Sequence, residues 1–328
     1  MKATLVFRHK NPDFFSIERV FSAVGGELGK SVTLDTFVAP RLGVSVKNIL
    51  AAFFFSRKNR RDIYHITGDI HYVAFGLPRR RTLLTIHDCV FLYQTAGVKR
   101  RILKYLFLDG PVRRCALITT ISEATRQDIL RFTGCAPEKV VVIANPVSDS
   151  IRYQPRPFRE THPVVLFLGI TPNKNLLRVI AALEGVDCQL HIIGVLPAVE
   201  KQLLGQQGID YRQSAHLTDQ ELAGCYADAD LVLFPSTFEG FGLPILEAQK
   251  TGRPVITSDL SPMREIADGS ACLVDPFSVE SIRAGVVRVI GDKTYRESLV
   301  EAGLRNIARF DAAAIARQYY SCYQKINA

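Results

Sequence analysis

Residues 228–260 read DADLVLFPSTFEGFGLPILEAQKTGRPVITSDL. Leu231–Phe234 is an apolar run of the kind that forms a parallel strand covered on both faces. Pro235 and Ser236 break it, and a loop carrying Gly240 and Gly242 follows. Pro244 opens a helix, because a missing N–H costs nothing in a first helical turn. Thr251-Gly252 ends that helix, and Pro254–Thr257 predicts a second strand. This strand–loop–helix–strand unit is the building block of a doubly wound sheet, whose ligands bind at the carboxyl ends of the strands. The glycines let backbone come close to a ligand. The amides and dipole of the helix start favour an anion such as a phosphate. Glu239 precedes those amides and Glu247 follows eight residues later. Two carboxylates flanking an anion site can accept hydrogen bonds from hydroxyls on either side of it. A molecule with hydroxyls, a diphosphate and more hydroxyls is a nucleotide sugar.

Composition bounds the alternatives. A chain of 328 residues is long enough for two domains with large cores. No run of about 18 apolar residues predicts a membrane span. The N-terminal MKATLVFRHK is charged too soon for a signal peptide. Seven cysteines without a C-x-x-C pair point to reduced thiols in a cytoplasmic protein. Lys and Arg outnumber Asp and Glu by 25 to 12 over residues 1–157, but are outnumbered 16 to 20 over the remainder. The basic clusters Arg57–Arg61, Arg79–Arg81 and Arg100-Arg101 suit an anionic membrane, a nucleic acid or a phosphorylated acceptor, and equally a solvated face. The segment 98–108 (VKRRILKYLFL) is amphipathic and basic, a pattern shared by interfacial helices and by core helices with a wet face. No aromatic-and-basic ribonucleoprotein motif is present, so no nucleic-acid partner is expected.

The stretch FPSTFEGFGLPILEA (234–248) resembles the E-x7-E signature of retaining glycosyltransferases of family 4, which have the GT-B fold: α/β, with two Rossmann-like doubly wound domains facing across a cleft. The resemblance implies that Glu239 contacts the donor sugar, that Gly240, Phe241, Gly242 and Leu243 hold the diphosphate, and that Glu247 binds the ribose. GITPNKNL (169–176) is similar to the family's lysine turn, which places Gly169 and Lys174 at the donor diphosphate. Asn173 stands there where many members carry arginine. TIHD (85–88) is similar to the family's strand-end histidine. His87 is thus a candidate hydrogen-bond donor to the sugar, or a structural residue. TISEATRQDI (120–129) resembles a strand-to-helix step in which Ser122 either touches ligand or only caps the helix. Pro137–Ile143 reads as a further strand, and the Asn145-Pro146-Val147 at its end departs from the common Asn-Gly-Val.

The domains expected are an acceptor domain over 1–150, a polar, proline-rich linker over 151–163, a donor domain over 164–310, and a helix over 311–328 crossing back to the first domain. Ser16 is a candidate cap for the first helix. The G-x-G-x-x-G of dinucleotide dehydrogenases is absent from the first strand–helix turn. Asp228-Ala229-Asp230 has the spelling of a metal–diphosphate motif, but precedes its strand. No metal and no cofactor are therefore expected beyond a UDP- or GDP-sugar co-substrate. The reaction implied is sugar transfer with retention to a glycan or lipid-linked acceptor in cell-surface polysaccharide or lipopolysaccharide assembly. The location implied is the cytoplasm, at the inner face of its membrane. A nucleotide-sugar epimerase of the same fold and a non-catalytic sugar-binding or nucleotide-binding protein are the alternatives.

Overall fold

The computed structural model describes residues 1–9 and 16–328. The chain divides into two compact units, Met1–Pro146 with Phe310–Ala328, and Val147–Arg309.

The first unit is a parallel sheet of β1 (Lys2–Phe7), β2 (Thr33–Val38), β3 (Ile63–Ile66), β4 (Thr82–Ile86), β5 (Leu117–Thr120) and β6 (Val140–Val142). Its spatial order is 2-1-3-4-5-6. β3, β4 and β5 are buried along their whole length, as expected for strands covered on both faces. The crossovers carry α1 (Ser16–Leu28), α2 (Val46–Lys58), α3 (Phe91–Gln94), α4 (Gly97–Lys104), α5 (Gly110–Arg114) and α6 (Glu123–Thr133). The side chain of Ser16, the expected cap of α1, lies outside the described residues.

Two expectations are corrected here. Segment 98–108 is not one uniform helix: α4 gives way at Tyr105–Asp109 to a π-helical turn before α5. The cause is Pro111, which has no N–H to offer the carbonyl of Phe107. The ring of His71 donates to that carbonyl instead, from Nδ1 at 2.5 Å. Leu108 is buried, whereas Val98, Ile102 and Tyr105 are exposed. The strand expected from Pro137 starts only at Val140, because Pro137–Lys139 winds into a 3-10 turn.

The second unit repeats the plan with β7 (Val164–Leu168), β8 (Gln189–Ile193), β9 (Tyr211–Ser214), β10 (Leu231–Phe234), β11 (Val255–Ser258) and β12 (Cys272–Val274). The sheet order is 12-11-10-7-8-9, all parallel. The order reverses between β7 and β10, and ligand crevices of such sheets open at that switch point. Its helices are α7 (Leu176–Leu183), α8 (Ala198–Gln206), α9 (Asp219–Asp228), α10 (Leu243–Thr251), α11 (Met263–Ala267), α12 (Val279–Gly291) and α13 (Lys293–Asn306). α9 starts in a capping box formed by Thr218 and Glu221.

The proline-rich segment 151–163 is anchored in this unit. Arg156 and Arg159 bind Asp228 and Asp230, so the Asp-x-Asp carboxylates are held by arginines at the amino edge of the sheet. The last helix, α14 (Ala312–Asn327), is capped by Asp311 and packs along α1 in the first unit.

Candidate active site

The loops after β7 and β10 meet at the switch point of the second sheet. Gly169 has φ +84, and a Cβ there would stand 3.1 Å from Lys174 Cγ. Only glycine lets the lysine stem fold back across the end of β7. Pro172–Lys174 is a 3-10 turn and Asn175 is left-handed, at φ 72. The buried Asn175 side chain donates to the carbonyls of Pro235 (3.0 Å) and Pro276 (2.6 Å), so one amide ties three loops together. The backbone of Thr237 donates to Asn173 O at 2.8 Å.

Lys174 Nζ sits 2.6 Å from Glu239 Oε1, and 4.8 Å from the centroid of the Phe234 ring. Both charged side chains are mostly buried, at 20% and 14% exposed. The resemblance places Asn173 among the diphosphate ligands. Its amide donates to Phe238 O at 2.9 Å and, at 3.4 Å, to Glu239 Oε1. Here Asn173 pins the Glu239 loop.

Gly242, at φ +116, turns the chain into α10, with Pro244 in the first turn. The amides at Gly242 and Leu243 belong to a helix start, where N–H groups have no intrahelical acceptor. Glu247, on the next turns of α10, accepts from the Tyr226 hydroxyl at 2.6 Å. Tyr226 is fully buried. Burial and the Glu247 charge raise its pKa well above 10, so it remains a phenol that donates. Gly169, Asn173, Lys174, Glu239, Gly240, Phe241, Gly242, Leu243 and Glu247 thus share the loops and helix start at one end of this sheet. Tyr226, Asn175 and Phe234 also belong to the group and were not legible as site residues. A motif says nothing of partners 21 or 60 positions away.

His87 and Ser122 lie in the first unit, at the carboxyl ends of β4 and β5. The carbonyl of Thr67 can only accept, and it lies 2.7 Å from His87 Nε2. Burial lowers the His87 pKa, so the ring is neutral at pH 7 with its proton on Nε2. Nδ1 therefore carries a lone pair. Nε2 is thus committed to the Thr67 carbonyl, and Nδ1 is the ring nitrogen left to meet a ligand. Ser122 Oγ caps α6, accepting from Thr125 N at 3.2 Å. Thr125 Oγ1 is 3.0 Å from Ser122 Oγ and 3.4 Å from His87 O, which couples the two strand ends. The described residues include no group of three or more His, Cys, Asp or Glu side chains arranged to hold a metal ion.

Two doubly wound parallel sheets, the second with a helix start and a lysine–glutamate pair at its switch point, define a GT-B α/β protein. The sequence matches the family model for glycosyl transferases group 1 over residues 162–292, and that for glycosyltransferase family 4 over residues 5–150. O-antigen chain mannosyltransferase B of Escherichia coli is 27% identical over 282 residues, covering 77% of this chain and 73% of that protein. MMP alpha-(1->4)-mannosyltransferase of Mycolicibacterium hassiacum is 29% identical, over 65% of this chain but only 55% of its own length. Among solved structures, sucrose-phosphate synthase from Thermosynechococcus elongatus superposes with a TM-score of 0.80 at 16% identity, covering 99% of each chain. Anabaena Alr3699/HepE in complex with UDP and glucose gives 0.81 at 16% identity, covering 98% of this chain and 99% of that one. The chain belongs to the family 4 (group 1) glycosyltransferases and is a glycosyltransferase.

Proposed function

We propose that this glycosyltransferase transfers a hexose, with mannose the first candidate, from a nucleotide donor to an acceptor hydroxyl. The anomeric configuration is kept and no metal is required. The acceptor is a glycan or lipid-linked intermediate of a cell-surface polysaccharide or lipopolysaccharide, and the reaction is cytoplasmic. The observation that carries the reading is the Lys174–Glu239 pair at 2.6 Å beside the start of α10. Mannose and the polysaccharide context come from the relatives named as O-antigen and MMP mannosyltransferases. The arginine partners of Asp228 and Asp230 support metal independence, because they occupy the chain's one Asp-x-Asp with another task.

The proposed chemistry follows from charge. Negative charge grows on the leaving diphosphate as the glycosidic bond breaks. The Lys174 ammonium and the α10 amides stabilise that charge from fixed positions. An arriving phosphate competes with Glu239 for Lys174. Glu239 then turns its carboxylate to the sugar hydroxyls, while Glu247, oriented by Tyr226, takes the ribose hydroxyls. Retention is read as same-face attack assisted by the leaving phosphate, with Glu239 orienting the sugar and not acting as a base. His87 Nδ1 accepts from a sugar hydroxyl.

The test is calorimetry with UDP, GDP and their hexose conjugates on the full chain and on Lys174→Ala. One nucleotide should bind, and the variant should lose that binding. Equal binding by the variant overturns the assignment of Lys174. Donor turnover without any acceptor points instead to the epimerase. Activity lost in EDTA and restored by manganese overturns metal independence.

A further inference from the structure

A cavity of about 460 Å³ opens at the amino edge of the second sheet, and every residue that lines it belongs to that unit. One wall is the segment 153–160 (YQPRPFRE). Gln154 and Arg156 each precede a proline, which disfavours helix and runs the segment straight. The opposite wall is α13, whose Lys293, Arg296, Glu297, Val300, Glu301 and Leu304 recur at the spacing of one helix face. Ala229 and Pro254, ahead of β10 and β11, complete the lining. The Lys174–Glu239 pair belongs to loops at the other ends of these strands. β10 alone spans about 13 Å, so the depth of the sheet separates the two places.

The lining is charged but neutral in sum. Arg156, Arg253, Lys293 and Arg296 are matched by Glu160, Asp230, Glu297 and Glu301. Arg156 binds Asp230 at 3.0 Å, Arg296 binds Glu160 at 2.9 Å, and Lys293 stands 3.9 Å from Glu297. A balanced lining has no net field to draw in a phosphate or a metal cation. It still has hydrogen-bonding capacity. Among the described residues, Glu160 accepts through one oxygen only, and Glu297 accepts no hydrogen bond. Arg296 donates to Val289 O, Ile290 O and Glu160, and a guanidinium has further N–H groups to give. The buried Arg253 donates to the carbonyls of Gln154, Tyr226 and Ala227, which fixes the backbone beside Tyr153.

Tyr153 adds an apolar face. It is 53% exposed, and its ring lies against Gly252. A Cβ on Gly252 would come within 2.7 Å of that ring, and the residue has φ +82, so both the chain and the ring require glycine there. Phe158 is covered by Arg296, at 3.8 Å from its centroid. A pyranose is the complement of this lining, with C–H groups on its ring face and a rim of hydroxyls that each donate and accept.

We propose that this cavity is a second carbohydrate site, which holds a short neutral hexopyranose oligosaccharide with a ring face on Tyr153 and hydroxyls on Glu160, Arg296 and Glu297, away from the chemistry. Its volume is that of a small-ligand pocket. That the oligosaccharide is part of the acceptor glycan rests on the glycosyl-transfer reading; the site itself does not.

The experiment is saturation-transfer NMR and calorimetry on the full chain with α-mannobiose, maltose and cellobiose, with UDP and GDP present to fill the donor site. Tyr153→Ala and Glu160→Gln are compared, and thermal denaturation checks their folding. At least one disaccharide should bind with a millimolar Kd that salt leaves unchanged. Tyr153→Ala should raise that Kd about five- to tenfold, and Glu160→Gln about threefold or more. Binding of none of the three sugars, or undiminished binding by either folded variant, overturns the proposal. Displacement of the disaccharide by inorganic phosphate or AMP would make the cavity an anion site and equally overturn it. Nucleotide binding through Lys174 is measured separately, so a failure here leaves the glycosyl-transfer reading standing, and the reverse also holds.

Discussion

Lys174 and Glu239 hold each other in the donor-free protein. Their separation of 2.6 Å implies that each is kept in place by the other until phosphate arrives. Lys174→Ala should therefore lower kcat with a nucleotide sugar by roughly 10²–10³-fold, the usual loss when one fixed donor to a developing anion is removed. Lys174→Arg should restore little, because the Gly169 cradle fits an unbranched stem. Tyr226 makes a different prediction. Tyr226→Phe deletes only the hydroxyl that orients Glu247, so KM for the donor should rise about five- to tenfold, an energy of about 1–1.5 kcal/mol, with kcat little changed. Steady-state kinetics separates the two outcomes, since a merely structural Tyr226 would move neither parameter. The motif named Lys174, Glu239 and Glu247 from neighbouring letters. It was silent on Tyr226, which reaches Glu247 from another helix.

At the scale of elements, two histidine clusters respond to pH in opposite directions. His65 on β3 bridges Tyr323 of α14 (2.8 Å) and Thr85 of β4 (2.7 Å) inside the first unit. Burial pushes its pKa from 6.5 down to about 3, so the unfolded chain binds a proton that the folded one resists. Its contribution is complete above 6.5 and drains as pH falls toward 3, at about 1.4 kcal/mol per unit. Thermal melts across that window should show the first unit losing stability with acid, and His65→Gln should flatten the slope.

His162 does the reverse. It stands just before β7 and bonds Asp187 before β8 (2.6 Å) and Asp210 before β9 (2.8 Å). Those carboxylates raise its pKa, so the clasp is present at low pH and is lost as pH rises through the raised value. His162→Gln should lower the melting temperature at mildly acidic pH and leave it unchanged at alkaline pH. Boundaries such as those of β10, α10 and β11 could be read directly, since apolar runs, prolines and glycines act locally. The π-turn at Tyr105–Asp109 could not, because Pro111 only frees the Phe107 carbonyl, and the His71 ring that satisfies it arrives from 36 residues away.

At the scale of the molecule, two sheets with separate cores carry opposite charge balances, basic over residues 1–157 and acidic beyond. Nucleotide binding at the β7–β10 switch point should therefore protect one unit selectively. Hydrogen exchange with saturating UDP or GDP should slow around 169–175 and 236–247, in proportion to the binding free energy, while β3–β5 change little. Uniform protection of both sheets would count against a donor site confined to the second unit. α14 belongs energetically to the first unit, through Tyr319 and Tyr323, both fully buried there. Removing residues 312–328 should destabilise the first sheet more than the second, as seen by the same exchange measurement.

By itself, the sequence determined the twofold repetition of parallel strands, the helix starts and stops, and which short motif carries the candidate chemistry. These follow from apolar periodicity, capping side chains and glycines whose consequences are felt within a few residues. Tertiary structure alone decided the pairing of Lys174 with Glu239, the duty of Asn173 and Asn175 in binding loops together, and the contact of His87 Nε2 with the Thr67 carbonyl. Each of these depends on strand order, and strand order arises when distant segments bury their faces against one another.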